Sequence, residues 1–373
     1  MGRTTVGTSI YCPVVRNGET GMSDRLPESR ACVVAGAVVL SILLAVVLAA
    51  GLEPGVIAGA DDGPSVESVS GETTVTISYT DAAGTTQTAT VSGVDPTRSS
   101  AADDWAIVDR SSLPSALQAV DDGPAHDVVG FGKWALVGAT ETATVPIDAT
   151  TLTVVVPAGR DVDPDRKAGF VEAFAGPYSL SGDTDSVVLV SVPDTFPNRG
   201  LMYADDRGYV TTESFWDGDA HSVWIHEYIH ARQDFRTADG MTWFREASAR
   251  YLSQRFMQEQ YEGVTTSDVH AALVGRSEDT AVTLANRTTW AGTTAHYHVG
   301  ARLLAAIDAE IRAESERQHT LVDVFRAMNA EDEPVTVERF VELVERRTGN
   351  DQSWTKDTIE GDQQIPERYK LPS

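Results

Sequence analysis

The chain has 373 residues and carries 29 basic side chains, Lys and Arg together, against 55 acidic ones, for a formal net charge of −26. Phosphate contacts need clustered cations and a surface this acidic repels a polyanion, so nucleic-acid binding is excluded. Its two cysteines, Cys12 and Cys32, leave the rest of the chain without the thiols that cysteine catalysis or a cysteine zinc site requires.

The first predicted element is a membrane-spanning helix over residues 31–52. These 22 residues contain no charge, and at 1.5 Å per residue they are long enough to cross a hydrocarbon core of about 30 Å. Basic residues precede the run and acidic residues follow it, which predicts a cytoplasmic segment over 1–30 and an extracellular remainder. A cleaved secretory signal is the alternative, because residues 58–60 fit a small-residue cleavage pattern. Met22 is an alternative start to Met1.

A β-rich domain is predicted over residues 73–160, after a polar linker over 53–72. Its β-branched residues alternate or cluster between Gly, Asp and Pro turns, which is typical of strands. The predicted strands are 73–80, 86–93, 143–147 and 151–157.

The remaining residues, 161–373, are predicted to form a mostly helical catalytic domain. It begins with a helix at 165–176, a buried strand at 186–193 and a further strand at 200–215. The fold class is therefore α+β, with an N-terminal transmembrane helix, a β-rich N-terminal domain and a helical C-terminal half. The later predicted helices are 219–236, 242–262, 294–316, 320–330 and 336–347.

Candidate metal-binding and catalytic residues cluster in the predicted helix 219–236, which contains the sequence HEYIH at residues 226–230. His226 and His230 are four residues apart, so both imidazoles lie on one helix face and can bind the same cation. Zinc suits imidazole nitrogen, and a catalytic zinc takes three protein ligands and leaves a position for water. Glu227 is predicted to be the general base that accepts a proton from this water.

A third ligand is available sixteen residues after His230. Glu246 lies in the predicted helix 242–262, which an Asp-Gly turn precedes. A short loop between the two helices would return Glu246 toward both imidazoles. The sequence predicts one Zn²⁺ per chain, held by His226, His230 and Glu246. The alternatives are a pair of structural histidines and an exposed helix carboxylate.

HEYIH followed by WFREASARYL resembles a gluzincin metallopeptidase, in which a Glu on the helix after H-E-x-x-H completes the zinc site. The helices that follow resemble those of the glycyl aminopeptidases and the aminopeptidase N group, so the resemblance covers about residues 221–354. It implies a zincin-like catalytic domain, a peptide or protein substrate and a Tyr whose hydroxyl stabilises the tetrahedral oxyanion. Tyr297 occupies the matching place, and a packing role at a helix start is its alternative.

Three features depart from this group. The loop before Glu246 is shorter than usual, and Ala247 stands where a Gly commonly follows the ligand. No G-x-M-E-N sequence, whose Glu captures the free amine of the substrate, occurs upstream. The nearest segment, 199–205, is predicted to be an edge strand that pairs with an extended peptide. Asp205 and Asp206 are candidate amine anchors or solvated loop acids, so endopeptidase and aminopeptidase activity both stay open.

The sequence thus predicts a single-pass cell-membrane zinc peptidase with a cytoplasmic N-terminus, an extracellular catalytic domain, and Glu227 and Tyr297 as catalytic residues. The alternative is a non-enzymatic cell-surface binding protein on a gluzincin scaffold, which the missing amine motif and the long β-rich segment favour. Only four of the basic residues are Lys. This acidic, Lys-poor composition resembles that of proteins from extreme halophiles.

Overall fold

The computed structural model describes residues 64–71, 74–92, 104–119, 122–123, 127–211, 220–274, 282–361 and 365. The predicted transmembrane helix at 31–52, with the segment before it, lies outside these residues. Within them, no helix combines the length and the apolar character that a bilayer crossing needs. The described residues form a mixed α+β fold with a β-rich N-terminal region and a helical C-terminal part.

Strands occupy most of the described chain before residue 212, and helices occupy most of it afterwards. The strands are β1 (Ser65–Ser70), β2 (Thr74–Thr80), β3 (Thr86–Ser92), β4 (Trp105–Asp109), β5 (Asp122–Gly123), β6 (Val128–Phe131), β7 (Trp134–Gly138), β8 (Thr140–Ile147), β9 (Thr150–Pro157), β10 (Ser186–Val192), β11 (Gly200–Met202) and β12 (Arg207–Thr211). The helices are α1 (Ser115–Gln118), α2 (Pro164–Ala175), α3 (Val223–Ala231), α4 (Trp243–Gln260), α5 (Thr266–Val274), α6 (Ala295–Glu314), α7 (Leu321–Asn329), α8 (Val337–Thr348) and α9 (Ser353–Glu360).

The strands form three sheets, with the orders β1-β2-β3, β4-β7-β6-β5 and β11-β12-β10-β9-β8. In the five-stranded sheet, β10 is parallel to both β9 and β12, while β8 and β11 are antiparallel edge strands. This sheet contains strands from both sides of residue 160, the predicted boundary between the β-rich and catalytic domains.

The central strand β10 is buried on both faces, as the apolar run at 186–193 predicts. Val187 and Leu189 belong to the core that the sheet shares with the helices. Val188 and Val190 belong to the core that it shares with the other two sheets. This alternation is the period of two expected for successive side chains of a strand.

Two predicted segments differ from the structure among the strands. Ser65–Ser70 falls in the predicted linker but forms β1, which pairs antiparallel with β2. In the predicted strand 200–215, the described residues 200–211 form a hairpin instead, because the chain turns after Met202 and Asp206 adopts a positive φ of 58°. An Asp tolerates this left-handed conformation better than most residues.

The predicted helix 219–236 is too long at its C-terminal end, because α3 stops at Ala231. Arg232 leaves the helical conformation, with φ −103° and ψ 5°. Its buried guanidinium donates to the Thr150 hydroxyl and to the carbonyls of Gly182 and Thr184. These contacts anchor the end of α3 to the sheet. Helices α5 and α9 were not predicted.

Candidate active site

Side chains from two helices converge on one point beside the edge strand β11. His226 and His230 lie one turn apart on α3, and Glu246 lies in the first turn of α4. The two Nε2 atoms are 3.1 Å apart, and each lies 3.2 Å from Oε2 of Glu246. In the part of the chain that the structure describes, these residues form a group able to share one metal ion.

The spacing of these three atoms fits zinc. A tetrahedral Zn²⁺ with bonds of about 2.0–2.1 Å separates its ligand atoms by about 3.3 Å, close to the three observed distances. The chemistry also fits, because two imidazole nitrogens and a carboxylate oxygen are ordinary zinc ligands. His226, His230 and Glu246 are therefore the residues that would hold the metal.

The Glu246 carboxylate gives this triangle a negative charge that attracts a cation. Burial lowers the pKa of His226 to about 4, so this imidazole is neutral. Burial also opposes the charge on Glu246, but hydrogen bonds from both imidazoles hold the pKa of Glu246 well below its usual range. For His230, burial lowers the pKa, but the Glu246 carboxylate outweighs burial and raises it. The carboxylate is thus ionised and attracts one cation, either a proton on His230 or a metal ion.

Glu227 lies beside the triangle and is almost fully buried between α3 and β11. The backbone N–H of Met202 donates to its carboxylate. Gly200 passes so close that a Cβ atom there would lie 2.5 Å from Oε1 of Glu227. Burial raises the pKa of the Glu227 carboxyl to about 7. This carboxyl can therefore exchange a proton near neutral pH, as a general base must.

Tyr297 reaches the same point from the first turn of α6. Its ring lies nearly parallel to that of His226, with centroids 6.1 Å apart. Its hydroxyl hydrogen-bonds Glu246, and burial together with the charge of Glu246 raises the pKa of Tyr297 well above its usual range. The phenol is therefore a neutral hydrogen-bond donor at the edge of the triangle.

A cavity of about 650 Å³ gives access to these residues. Its walls include all five predicted site residues, which come from α3, α4 and α6, and residues 200–204 of the β11 hairpin. Asp206 lies on the same cavity, where it accepts a hydrogen bond from Thr184, whereas Asp205 is exposed in the turn. The structure thus brings the predicted site residues together and places the predicted edge strand opposite them.

Two residues at the site were missed by the sequence analysis. Nε2 of His221 lies 3.2 Å from Nδ1 of His226, and Oε1 of Gln233 lies 3.0 Å from Nδ1 of His230. The Nδ1 atom of each imidazole of the triangle therefore has an uncharged hydrogen-bond partner. Gln233 stands three residues after His230, and this spacing, one turn along a helix, was the available signal.

No protein-family model matches this chain, and no curated protein sequence matches it. Among solved structures, it is similar to an aminopeptidase N family protein from Idiomarina loihiensis, with a TM-score of 0.49 and 13% identity over 62% of the chain. It is also similar to Legionella pneumophila aminopeptidase A in complex with aspartic acid, with a TM-score of 0.47 and 13% identity over 61% of the chain. The matches cover 49% and 29% of those two proteins.

A third similar structure is an M1 zinc metallopeptidase mutant from Deinococcus radiodurans, bound to a Tyr-Ser-Ala substrate. Its TM-score is 0.47, with 15% identity over 83% of this chain and 86% of that protein.

Proposed function

We propose that this chain is a zinc-dependent peptidase that hydrolyses peptide bonds with water. The observation that carries the proposal is the convergence of His226, His230 and Glu246 beside the buried Glu227 carboxylate. When bound at this point, one zinc ion would polarise the scissile carbonyl and lower the pKa of water. The experiment that tests the proposal is the cleavage of a mixed peptide pool by the parent and by Glu227→Gln, with zinc content measured for both.

Glu227 is the residue to which we assign proton transfer. Its carboxylate is fixed by the Met202 N–H and lines the cavity. Burial raises the pKa of the Glu227 carboxyl in the metal-free chain, and from its place on the cavity wall this carboxylate can accept a proton from water and release that proton to the leaving amine. A carboxyl with an ordinary pKa near 4.3 would be a weaker base at neutral pH.

The edge strand β11 supports an extended peptide as the substrate. Among the described strands, β11 pairs with β12 alone. The outer edge of such a strand can take up another chain through main-chain hydrogen bonds. Because Gly200 brings this strand into contact with Glu227, a peptide paired there would have a backbone carbonyl close to the general base.

Gly200→Ala tests this placement. The added Cβ would lie 2.5 Å from Oε1 of Glu227 and 2.6 Å from Cγ1 of Val223, so the carboxylate or the strand must move. We expect kcat/KM for peptide cleavage to fall about 10- to 100-fold, because displacements of this size misalign the reacting groups. Gly169→Ala in α2 is the matched control, since a Cβ there meets open space. Equal activity of Gly200→Ala and the parent would contradict the placement of the substrate.

Tyr297 is proposed to donate a hydrogen bond to the oxyanion that develops on the substrate. The raised pKa of Tyr297 keeps its hydroxyl protonated, and a neutral donor aimed at developing charge stabilises the transition state. Tyr297→Phe should lower kcat about 10²- to 10³-fold with little change in KM and with zinc retained. If Tyr297 only packs at the start of α6, the Phe variant will keep the parental kcat.

The cellular place of this activity is a further part of the proposal. The uncharged run at 31–52 and the charges around it support a single-pass membrane protein with its catalytic part outside the cell. Fractionation of cells that express the full chain should find it in the membrane. A chain that begins at residue 53 should be released. Recovery of the full chain from the soluble fraction would argue against the anchor.

The net charge of −26 supports an environment of concentrated salt. Like charges on a folded surface repel one another, and salt screens them, with a Debye length of about 10 Å at 0.1 M and about 3 Å at 1 M. We expect the melting temperature to rise by several degrees from 0.1 M to 3 M KCl, as followed by circular dichroism. An unchanged or lower melting temperature in 3 M KCl would contradict the proposed adaptation to salt.

A further inference from the structure

Gln233 lies directly behind the metal-ligand triangle, just after the end of α3, and its side chain is buried. Oε1 of Gln233 lies 3.0 Å from Nδ1 of His230 and accepts a hydrogen bond from Nε of Arg245 at 3.3 Å. Nε2 of Gln233 donates to the carbonyl of Arg245 at 2.8 Å and to Oγ of Ser248 at 3.1 Å. Both the oxygen and the nitrogen of the Gln233 amide therefore have hydrogen-bond partners.

These partners fix which way the amide of Gln233 faces. The Nε atom of Arg245 can only donate, and the backbone carbonyl of Arg245 can only accept. A flipped amide would set its NH₂ group against the guanidinium and its oxygen against the carbonyl, so both contacts would become repulsive. The atom that faces His230 is therefore the amide oxygen.

The orientation of Gln233 determines where His230 carries its proton. An amide oxygen 3.0 Å from Nδ1 can only accept, so Nδ1 must be the donor. In the neutral imidazole the other nitrogen, Nε2, then has a free lone pair. Nε2 donates to Oε2 of Glu246 in the metal-free chain, and once that proton leaves, the lone pair faces Nε2 of His226 and Oε2 of Glu246, which lie 3.1 and 3.2 Å away. Gln233 thus selects the tautomer that a metal ligand needs.

Arg245 and Glu246 are neighbours on α4, so the position of the ligand Glu246 is linked through Arg245 and Gln233 to that of the ligand His230. The carbonyl and the guanidinium of Arg245 both hold Gln233, which holds His230 on α3. The next residue, Glu246, supplies the third ligand. The network therefore sets the position of α3 relative to α4 at the point where their ligand atoms meet.

We propose that Gln233 is a positioning residue for the metal site, which selects the tautomer and orientation of His230, and that Arg245 acts through Gln233. This inference rests on the proposed function, because it assumes that the triangle binds zinc. Partners of this kind behind a metal-bound imidazole typically change metal affinity or activity 10- to 100-fold when removed. Gln233 and Arg245 themselves contribute no ligand atom to the triangle.

The test is the zinc dissociation constant of the full chain, measured by competition with a chromophoric chelator. Gln233→Ala should bind zinc about 10- to 100-fold more weakly than the parent. Gln233→Glu keeps an oxygen that accepts the Nδ1 proton but loses the donor to the Arg245 carbonyl, so its affinity should lie between those of Gln233→Ala and the parent. Arg245→Met should weaken binding less than Gln233→Ala. The double variant with Gln233→Ala and Arg245→Met should bind zinc no more weakly than Gln233→Ala, because Arg245 acts through Gln233.

Gln254→Ala is the matched control, because Gln254 is a fully buried glutamine of α4 whose amide has no hydrogen-bond partner among the described residues. It should change the unfolding temperature of the metal-free protein but leave zinc affinity unchanged. Parental affinity in Gln233→Ala, or a Gln233→Glu affinity as weak as that of Gln233→Ala, would overturn the role of Gln233. If the losses of zinc affinity caused by Gln233→Ala and Arg245→Met add up in the double variant, Arg245 does not act through Gln233. A parent chain that binds no zinc would instead overturn the proposed function on which this inference rests.

Discussion

Replacement of Glu227 by Gln is expected to lower peptide hydrolysis by about 10³-fold or more while one zinc per chain stays bound. The amide is nearly isosteric with the carboxylate, but it cannot accept a proton from water and pass it to the leaving amine. Glu227 is not part of the ligand triangle, so metal content should not change. The measurements are initial rates on a mixed peptide pool in several molar salt and elemental analysis of the same samples.

Glu172→Gln is the control for Glu227→Gln, because Glu172 is an exposed glutamate on α2, away from the cavity walls. It makes the same chemical change and should retain parental rates. If Glu227→Gln cleaves peptides as fast as the parent, Glu227 is not the general base. If neither the parent nor any variant cleaves peptides, the alternative of a non-enzymatic binding protein on this scaffold gains support.

Removal of the metal should have the second largest effect. A chelator is expected to abolish hydrolysis by the parent and to lower its melting temperature, because zinc binds the folded chain and stabilises it by about 3–4 kcal/mol at 100 to 1,000 times its dissociation constant. Glu246→Gln replaces the ionised ligand by a neutral amide and leaves two imidazoles. We expect it to lose zinc on dialysis and to be inactive.

Comparison of the parent with Glu246→Gln separates metal binding from general damage to the fold. The melting temperature of the parent should fall on addition of chelator, whereas that of Glu246→Gln should not respond. Added zinc should restore both activity and melting temperature to the chelated parent. A variant that keeps stoichiometric zinc would show that Glu246 is not a ligand, and a chelated parent that stays fully active would show that hydrolysis needs no metal.

The elements that the sequence predicts well are those in which local pattern and burial agree. The run at 186–193 contains four consecutive aliphatic residues at 187–190, and β10 is buried on both faces. Strands β4 and β7 were missed although they are also buried, because a short continuous apolar run shows no alternation and cannot be told from a buried helix segment by its period. The end of α3 was missed because Arg232 binds partners 50 and 82 residues upstream, and no local pattern reports such contacts.

The residues of the site differ in how much information beyond the sequence their prediction requires. His226 and His230 follow from helix geometry alone, because a spacing of four puts them on one face. Glu246 also needs a loop that brings α4 back to α3, and the family resemblance suggested Tyr297. Gln233 carries no charge and belongs to a common residue type, so its spacing from His230 was a weak signal, and its contact with His230 becomes evident in the fold.

The assignment of His226, His230 and Glu246 as ligands of one zinc ion can be tested by anomalous X-ray diffraction from crystals of the zinc-loaded chain, recorded on both sides of the zinc absorption edge. We expect one strong anomalous peak about 2 Å from Nε2 of His226, Nε2 of His230 and Oε2 of Glu246. A zinc-loaded crystal with no peak at this point, or with the Glu246 carboxylate turned away from both imidazoles, would contradict this assignment.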